Sequence, residues 1–278
     1  LGIDLDLLSG YDTLDVAVGT GDRATVERAL DDAAAIETYE GFAGDDTEKA
    51  RVSNSGTLEH DRLFALYDDE VLNGRKTEDV YGYAASVTPG GLAVESPQGE
   101  RIVVGFDDEG RRRLESWLEG VSEDTTVLYD DGVGFVDRRD RLASVSVVST
   151  ATLHEVASWF DGIDADGVRR RLRMNVEVGG VPAFWEDGFA GDGVPDLSVG
   201  GVRLEGVEPC NRCVVPTRDP KTGERREGFR EKFTRKREPT VPDAEPFDRA
   251  YTVGLICRVA DGDRGSSMLR VGDIVEEA

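Results

Sequence analysis

Two cysteines three positions apart, Cys210 and Cys213, are the residues of this sequence best suited to chemistry. Two thiols at this spacing can share a metal ion, form a redox pair, or simply lie near each other. A closed structural zinc site needs four ligands, and the other candidates, Cys257, His60 and His154, are not at the spacing of a zinc finger. A zinc site therefore stays open as one alternative.

A redox-active pair is typical of the beginning of a helix, where the helix dipole lowers the pKa of the thiol. Cys213 is followed by Val214, Val215 and Pro216, which begin a helix poorly. A redox pair and two purely structural cysteines stay open beside zinc. We favour a single soft metal held by one thiolate, with Arg212 beside it to stabilise the ionised sulfur and to hold an anion.

The charge of the chain limits the partners of such a site. Of its 278 residues, 57 are Asp or Glu and 33 are Lys or Arg, which gives a formal net charge of -24. Because a surface this acidic repels nucleic acid and anionic lipid, we expect neither nucleic acid nor a membrane as a partner. The composition suits a halophilic protein, since concentrated salt screens the repulsion between carboxylates, although an ordinary acidic protein is the alternative.

The sequence also predicts a location. No stretch approaches the ~18 apolar residues that span a bilayer, and no basic segment followed by an apolar one opens the chain. Three cysteines, an odd number, argue against a framework of disulfides and for a reducing compartment. We therefore expect a cytoplasmic protein.

The pattern of apolar residues predicts a mainly β protein with flanking helices, an α+β class. Helical spacing predicts one helix from Ala24 to Ile36 and a short one from Glu109 to Leu118. From Ile36 onward, short alternating segments separated by Gly, Asp and Asn predict a β meander or a small barrel. The charged, Gly- and Pro-rich stretch from Thr217 to Asp248 is predicted to be a long surface excursion.

A strand that runs directly into a helix is predicted near the middle of the chain. Residues Val145 to Thr150 are typical of a buried strand, and Ala151 to Phe160 have the spacing of a helix. Ser149, Thr150 or Thr152 is the candidate N-cap. Because such a junction directs backbone N–H groups and hydroxyls outward, it predicts an anion site.

Several motifs in order along the chain resemble the MOSC domain, the family of molybdenum cofactor sulfurase C-terminal domains and of the mitochondrial amidoxime-reducing component. The motif around the two cysteines resembles the family's Cys-x-Arg-Cys, followed by Thr-x-Asp-Pro-x-Thr-Gly over Thr217–Gly223. Further matching elements are Ser149–Leu153, Arg171–Val176 and Phe184–Asp187, with Gly56–Arg62 and Asn73–Thr77 resembling the β-barrel domain that precedes MOSC.

The resemblance implies an N-terminal β-barrel-like domain followed by a MOSC β-barrel domain. We place the boundaries at 1–35 for a helical extension, 36–120 for the first domain and 121–278 for the MOSC domain. The resemblance also implies a molybdenum-pterin cofactor. Its metal is bound by Cys213, which is then the catalytic residue as well, while Cys210 is either a supporting thiol or a core residue.

The remaining cofactor contacts follow from the same resemblance. It assigns Arg62, Arg173 and Arg212 to the anionic tail and the pterin, and Ser149, Thr150 and Asn175 to hydrogen bonds with the cofactor. A salt bridge to one of the many carboxylates is the alternative for Arg62 and for Arg173. Glu186 and Asp187 either orient arginines, approach the substrate, or form a solvated acidic turn.

The resemblance implies an oxidoreductase that reduces N-oxygenated or related small molecules with electrons from a partner such as a ferredoxin or a reductase. The alternative is a module that carries the cofactor or its sulfur to an acceptor apo-enzyme. The pyridoxal-phosphate sulfurase domain of longer relatives is not matched, so we do not expect sulfur generation. The family's Tyr-Pro-x-Lys-type element is also not matched, because Tyr39 is followed by Glu40, Gly41 and Phe42, and this places phosphate affinity in doubt.

Overall fold

The computed structural model describes residues 24–31, 45–47, 49–68, 70–72, 74–118, 126–135, 143 and 145–278. These residues form a mainly β structure with flanking helices, which confirms the predicted class. The α-helices of the described residues are α1 (Asp108–Leu118), α2 (Thr150–Ser158), α3 (Ala165–Leu172) and α4 (Phe229–Arg237). The strands are β1 (Ala24–Asp31), β2 (Asp45–Thr47), β3 (Lys49–Arg51), β4 (Phe64–Asp68), β5 (Glu70–Leu72), β6 (Ala84–Thr88), β7 (Gly91–Glu95), β8 (Arg101–Val104), β9 (Thr126–Tyr129), β10 (Val145–Ser149), β11 (Val176–Gly179), β12 (Leu197–Val199), β13 (Val202–Asn211), β14 (Thr252–Val259), β15 (Met268–Arg270) and β16 (Ile274–Glu277).

A barrel occupies the C-terminal part of the chain. Its strands follow the order β11, β10, β14, β13, β12, β16, and β1 pairs with both β16 and β11, so that the sheet closes on itself. The strands alternate between two faces, and one face of each of these six strands contributes to a shared apolar interior that includes Val147, Val178, Leu204, Leu255 and Val275. Closure removes the unpaired strand edges that an open sheet would expose.

The helix predicted from Ala24 to Ile36 is wrong over Ala24–Asp31, which is strand β1. Helical spacing is a local signal, whereas β1 obtains its hydrogen bonds from β11 and β16, far along the chain. Tertiary pairing therefore overrides the local pattern. Ile36 and the segment from Tyr39 to Phe42 lie outside the described residues, and the domain boundaries at 36 and 121 stay predictions.

A smaller module carries its own core. It contains one sheet of β5, β4 and β9, a meander of β6, β7 and β8, and helix α1. The buried side chains of this module include Phe64, Leu92, Val104, Leu114 and Val127. The short helix predicted from Glu109 to Leu118 is confirmed as α1, with a start one residue earlier.

Helices α2, α3 and α4 cover the outer surface of the barrel around a third core. The predicted strand-to-helix junction is confirmed, since β10 ends at Ser149 and α2 begins at Thr150. The excursion from Thr217 to Asp248 contains α4, a helix that was not predicted, and Phe229 and Phe233 of α4 are buried. No described helix has the length and apolar character to cross a bilayer.

Candidate cofactor site

Cys213 lies just beyond the end of β13, at one end of the barrel. The strand ends at Asn211, and the Arg212 N–H donates to the carbonyl of Tyr251, 3.0 Å away, before β14 begins. Cys213 is half-buried and not disulfide-bonded. Its thiol therefore combines partial shelter from water with access from outside.

The other two cysteines are buried thiols. Cys210 packs among aromatic and aliphatic side chains of the outer core, which is the core-residue alternative of the sequence analysis. Cys257 is completely buried inside the barrel, and burial raises the pKa of its thiol. Among the described residues, no three His, Cys, Asp or Glu side chains cluster as metal ligands, so these residues do not form the zinc alternative.

The guanidinium of Arg212 stabilises the segment that carries Cys213 through hydrogen bonds to backbone carbonyls. Its Nη1 donates to the carbonyl of Leu172 at 2.9 Å, and Nε and Nη2 donate to the carbonyl of Val253 at 3.2 and 2.9 Å. Nη2 also lies 2.7 Å from the sulfur of Met174. These bonds tie the loop after β13 to the end of α3 and to β14. The predicted contact of Arg212 with a cofactor tail stays a prediction.

Gly254 makes room for this arrangement. Its φ of 82° is unfavourable for other residues, and a Cβ there would collide with the methyl group of Met174. The absence of a side chain at Gly254 leaves room for the methyl group of Met174, whose sulfur lies 2.7 Å from Nη2 of Arg212.

The hydroxyl groups of Tyr251 and Thr252 lie close to the segment that carries Cys213. The Tyr251 hydroxyl and the Thr252 Oγ1 are buried, and neither has a hydrogen-bond partner among the described residues. Burial raises the pKa of Tyr251, the positive charges of Arg212 and Arg230 lower it, and the nearby Cys213 raises it. The guanidinium of Arg230 lies 5.0 Å from the ring centroid of Tyr251. The sequence analysis did not single out Tyr251 or Thr252, because nothing in the neighbouring residues signals that their hydroxyls are buried.

Ser149 and Thr150 occupy the junction of β10 and α2, as predicted. Ser149 is completely buried and caps α2, since its Oγ accepts from the Thr152 N–H at 3.0 Å. The Ser149 Oγ also donates to the carbonyl of Pro182 at 3.2 Å. Thr150 is half-buried.

The anion at this junction is an internal carboxylate. Glu186 is fully buried, and its Oε2 accepts from the Ser149 N–H at 3.3 Å and from the Thr152 hydroxyl at 3.2 Å. The pKa of Glu186 is raised from 4.5 to about 7, mainly by burial and also by the nearby Asp187, while these hydrogen bonds act in the opposite direction. The Oε1 of Glu186 has no partner among the described residues.

Asp187 orients an arginine, one of the three roles considered for it, and the solvated turn is wrong because its side chain is buried in an ion pair. Asp187 forms a salt bridge with the completely buried Arg237, whose Nε donates to the carbonyl of Thr252 at 3.2 Å. The guanidinium of Arg237 stacks on Phe184 at 4.0 Å. Glu186 contacts the junction of β10 and α2. The next residue, Asp187, pairs with Arg237, which in turn contacts Thr252 at the start of β14.

Arg173 and Asn175 flank Met174, at the passage from α3 to β11. Arg173 is half-buried and caps α3 in a left-handed conformation with φ 49°. The Oδ1 of Asn175 accepts from the N–H and the hydroxyl of Ser146 at 3.0 and 2.8 Å. The buried Nδ2 of Asn175 has no partner among the described residues. Both residues are therefore close in the chain to the groups that Arg212 contacts.

Arg62 lies in the smaller module and forms the salt bridge that was its alternative. Its Nε and Nη2 donate to the two carboxylate oxygens of Asp61 at 2.8 and 2.5 Å, and both side chains are buried. The adjacent carboxylate thus occupies one side of the guanidinium fork. The role of Arg62 in cofactor binding stays a prediction.

The Thr-x-Asp-Pro-x-Thr-Gly motif builds a turn that joins the two modules. The Oδ1 of Asp219 accepts from the N–H groups of Lys221 and Thr222 at 2.9 and 3.2 Å. Arg218 is buried, and its Nη1 donates to Glu78 of the smaller module at 2.5 Å and to the Gly223 carbonyl at 2.8 Å. The motif therefore fixes the loop after Cys213.

Comparisons with known proteins identify the family. The family model for the MOSC domain matches residues 138–276, which is half of the chain. The chain is also 60% identical to A-type ATP synthase subunit I of Halobacterium salinarum over 47 residues, but these cover 17% of the chain and 6% of that protein. The YUAD protein from Bacillus subtilis is 14% identical with a TM-score of 0.39, over 91% of this chain and 94% of that one. By its family model, the chain belongs to the MOSC domain family.

Proposed function

We propose that this chain binds a molybdenum-pterin cofactor through Cys213 and uses it to reduce N-oxygenated small molecules. The family is associated with this cofactor, which supports the proposal. The observation that carries it is the half-buried Cys213 thiol beside the buried hydroxyl of Tyr251, which has no hydrogen-bond partner among the described residues.

The donor set fits such a group. A pterin dithiolene supplies two sulfurs to its metal, so the protein needs to add only one thiolate, and a single accessible thiol stands here apart from any cluster of ligands among the described residues. The Tyr251 and Thr252 hydroxyls, which lack partners in the described part of the chain, would gain hydrogen bonds from a bound polar ligand. Arg212 and Arg230 add positive charge for an anionic group.

When bound, the cofactor supplies two-electron removal of an oxygen atom. For an N-hydroxylated substrate the N–O bond breaks, two electrons enter, one proton goes to the nitrogen and one to the departing hydroxyl, and water leaves. An electron-donor protein such as a ferredoxin supplies the two electrons in two one-electron steps.

The residues of the chain have separate tasks in this proposal. Cys213 holds the metal, and Arg212 fixes the loop around it through the Leu172 and Val253 carbonyls. Tyr251 keeps its proton at neutral pH because its pKa is raised, so its hydroxyl would donate a hydrogen bond to a bound oxygen.

The test compares two thiols of one motif. We expect protein from a molybdenum-competent host to contain molybdenum and pterin near one per chain, and Cys213→Ser to lose the metal. Cys210→Ala is the matched control, because that thiol packs in the core, and it should retain molybdenum. Turnover of an N-hydroxylated substrate is measured with reduced methyl viologen as the electron source.

The outcomes separate the proposal from its alternative. Wild-type protein without molybdenum, or equal metal content in wild type and Cys213→Ser, would refute cofactor binding through this thiol. Bound molybdenum that passes to an acceptor apo-enzyme, with no turnover of its own, would instead establish the carrier function.

A further inference from the structure

The segment of residues 221–237 is basic in a strongly acidic chain. It contains eight Lys or Arg and three Glu, a net charge of +5, whereas the whole chain has a net charge of -24. We call residues 221–237 the basic segment. The net charge of the rest of the chain is therefore more negative than -24.

The exposed cations of the basic segment have no carboxylate partners. They are Lys221, Arg225, Arg230, Arg235 and Lys236, and none forms an ion pair with the described residues. Several arginines elsewhere on the surface pair with acids, as Arg111 does with Glu115 and Arg203 with Asp196. The basic segment presents these five cations to solvent beside three exposed glutamates, Glu224, Glu227 and Glu231, so its surface has a net positive charge.

The basic segment has a defined shape rather than that of a loose charged loop. Phe229 and Phe233 of α4 are buried and pack in the outer core, with Phe229 stacked on Phe160 at 4.3 Å. Arg237 at the end of α4 is completely buried in its salt bridge with Asp187. The exposed cations of α4 are therefore held in fixed positions on the barrel.

The basic segment borders the Cys213 site. Arg230 lies over the ring of Tyr251 at 5.0 Å, and the carbonyl of Tyr251 accepts from the N–H of Arg212, the neighbour of Cys213. A macromolecule bound to the basic segment would thus lie close to the half-buried thiol.

We propose that the basic segment is the docking surface for an acidic one-electron redox protein, of the iron–sulfur type, that delivers electrons to the Cys213 site. The inference rests on the proposed function. The net negative charge of the rest of the chain repels an acidic partner and the basic segment attracts it, so charge favours docking in this orientation. That orientation shortens the path for electron transfer.

A compact protein fits the basic segment better than an extended polyanion does. Duplex DNA carries about one charge per 1.7 Å, and a membrane is an extended anionic plane. Either would extend past the basic segment and meet the acidic remainder of the chain. A globular partner can present one acidic face of matching size.

The test reverses three exposed charges away from Tyr251. The variant Arg225→Glu, Arg235→Glu, Lys236→Glu is compared with a control of equal charge change on the smaller module, Arg101→Glu, Arg112→Glu, Arg113→Glu, whose side chains are also exposed. A second variant with Gln at the same three positions of the basic segment removes the positive charges without adding negative ones. Circular dichroism checks that each variant is folded.

With a plant-type ferredoxin as the probe, we expect the KM for the donor to rise on the order of tenfold in the Glu variant and by a smaller factor in the Gln variant. The control variant should change the KM by less than about twofold, because its charges lie outside the basic segment. Raising the salt should weaken docking of the wild type more than that of the Glu variant.

Two further arms make each failure recognisable. Turnover with reduced methyl viologen should be equal in the wild type and the Glu variant. If the wild type has no turnover with viologen, the proposed function is wrong. If the Glu variant turns over with viologen and its KM for ferredoxin equals that of the wild type, the docking proposal is wrong and the proposed function still stands. Binding of a DNA duplex or of anionic vesicles to the basic segment, without binding of ferredoxin, would overturn it as well.

Discussion

The buried carboxyl of Glu186 makes the stability of this protein depend on pH in a predictable direction. Burial raises its pKa from 4.5 to about 7, and its Oε1 has no partner in the described structure. Because the folded state binds the proton more tightly than the unfolded chain, this stabilisation is complete below about pH 4.5 and is lost as pH rises through about 7. Since one pKa unit corresponds to about 1.4 kcal/mol, the loss is about 3 kcal/mol.

The substitution Glu186→Gln removes this titration and keeps the shape of the side chain. The Gln carbonyl can still accept from Ser149 and Thr152, as Oε2 does now, and the cost of burying its NH2 group does not vary with pH. We expect the free energy of unfolding of the wild type to fall by about 2.5 kcal/mol relative to the variant between pH 5 and pH 8, since part of the loss has already occurred at pH 5.

The assay is urea denaturation followed by tryptophan fluorescence at pH 5, 6, 7 and 8 and constant ionic strength. Glu227→Gln is the matched control, because that carboxylate is exposed, and its difference from wild type should not vary with pH. A difference between wild type and Glu186→Gln that changes by less than about 0.5 kcal/mol over this range would refute the reasoning.

Three further substitutions test the same region. Asp187→Asn leaves the buried charge of Arg237 unpaired and should lower the free energy of unfolding by about 3–5 kcal/mol in urea, and a loss under ~1 kcal/mol would contradict the buried pair. Tyr251→Phe removes a hydroxyl without a partner, so it should change the stability of cofactor-free protein by under ~0.5 kcal/mol while lowering turnover; a larger loss would reveal an existing hydrogen bond. Gly254→Ala places a methyl group against Met174 at positive φ and should cost about 1–3 kcal/mol by thermal denaturation, with an unchanged Tm as the contrary result.

Local features of the site were predictable from the sequence. The switch from a buried strand to a capped helix at Ser149 depends on side chains within a few residues of each other, and the structure has this junction. The choice of Cys213 over Cys210 as the metal ligand rested on the motif and stays a prediction; in the structure Cys210 lies in the core and Cys213 is half-buried. The MOSC resemblance was confirmed by the family model.

Features that depend on distant partners were not predictable. The residues from Ala24 have helical spacing, yet they form β1 because β11 and β16 provide its hydrogen bonds. Glu186 gave no sign that it is fully buried against α2, since that position is set by the packing of the segment after β11.

The sequence by itself determined the family and the mainly β class, because motifs and alternation depend on neighbouring residues. The tertiary structure alone decided the closure of the barrel by β1, the ion pairs of Arg62 and Arg237, and the unpartnered hydroxyl of Tyr251. The physical reason is that burial and pairing are properties of the folded assembly. A side chain acquires its partner, or lacks one, only when segments far apart in the chain come together.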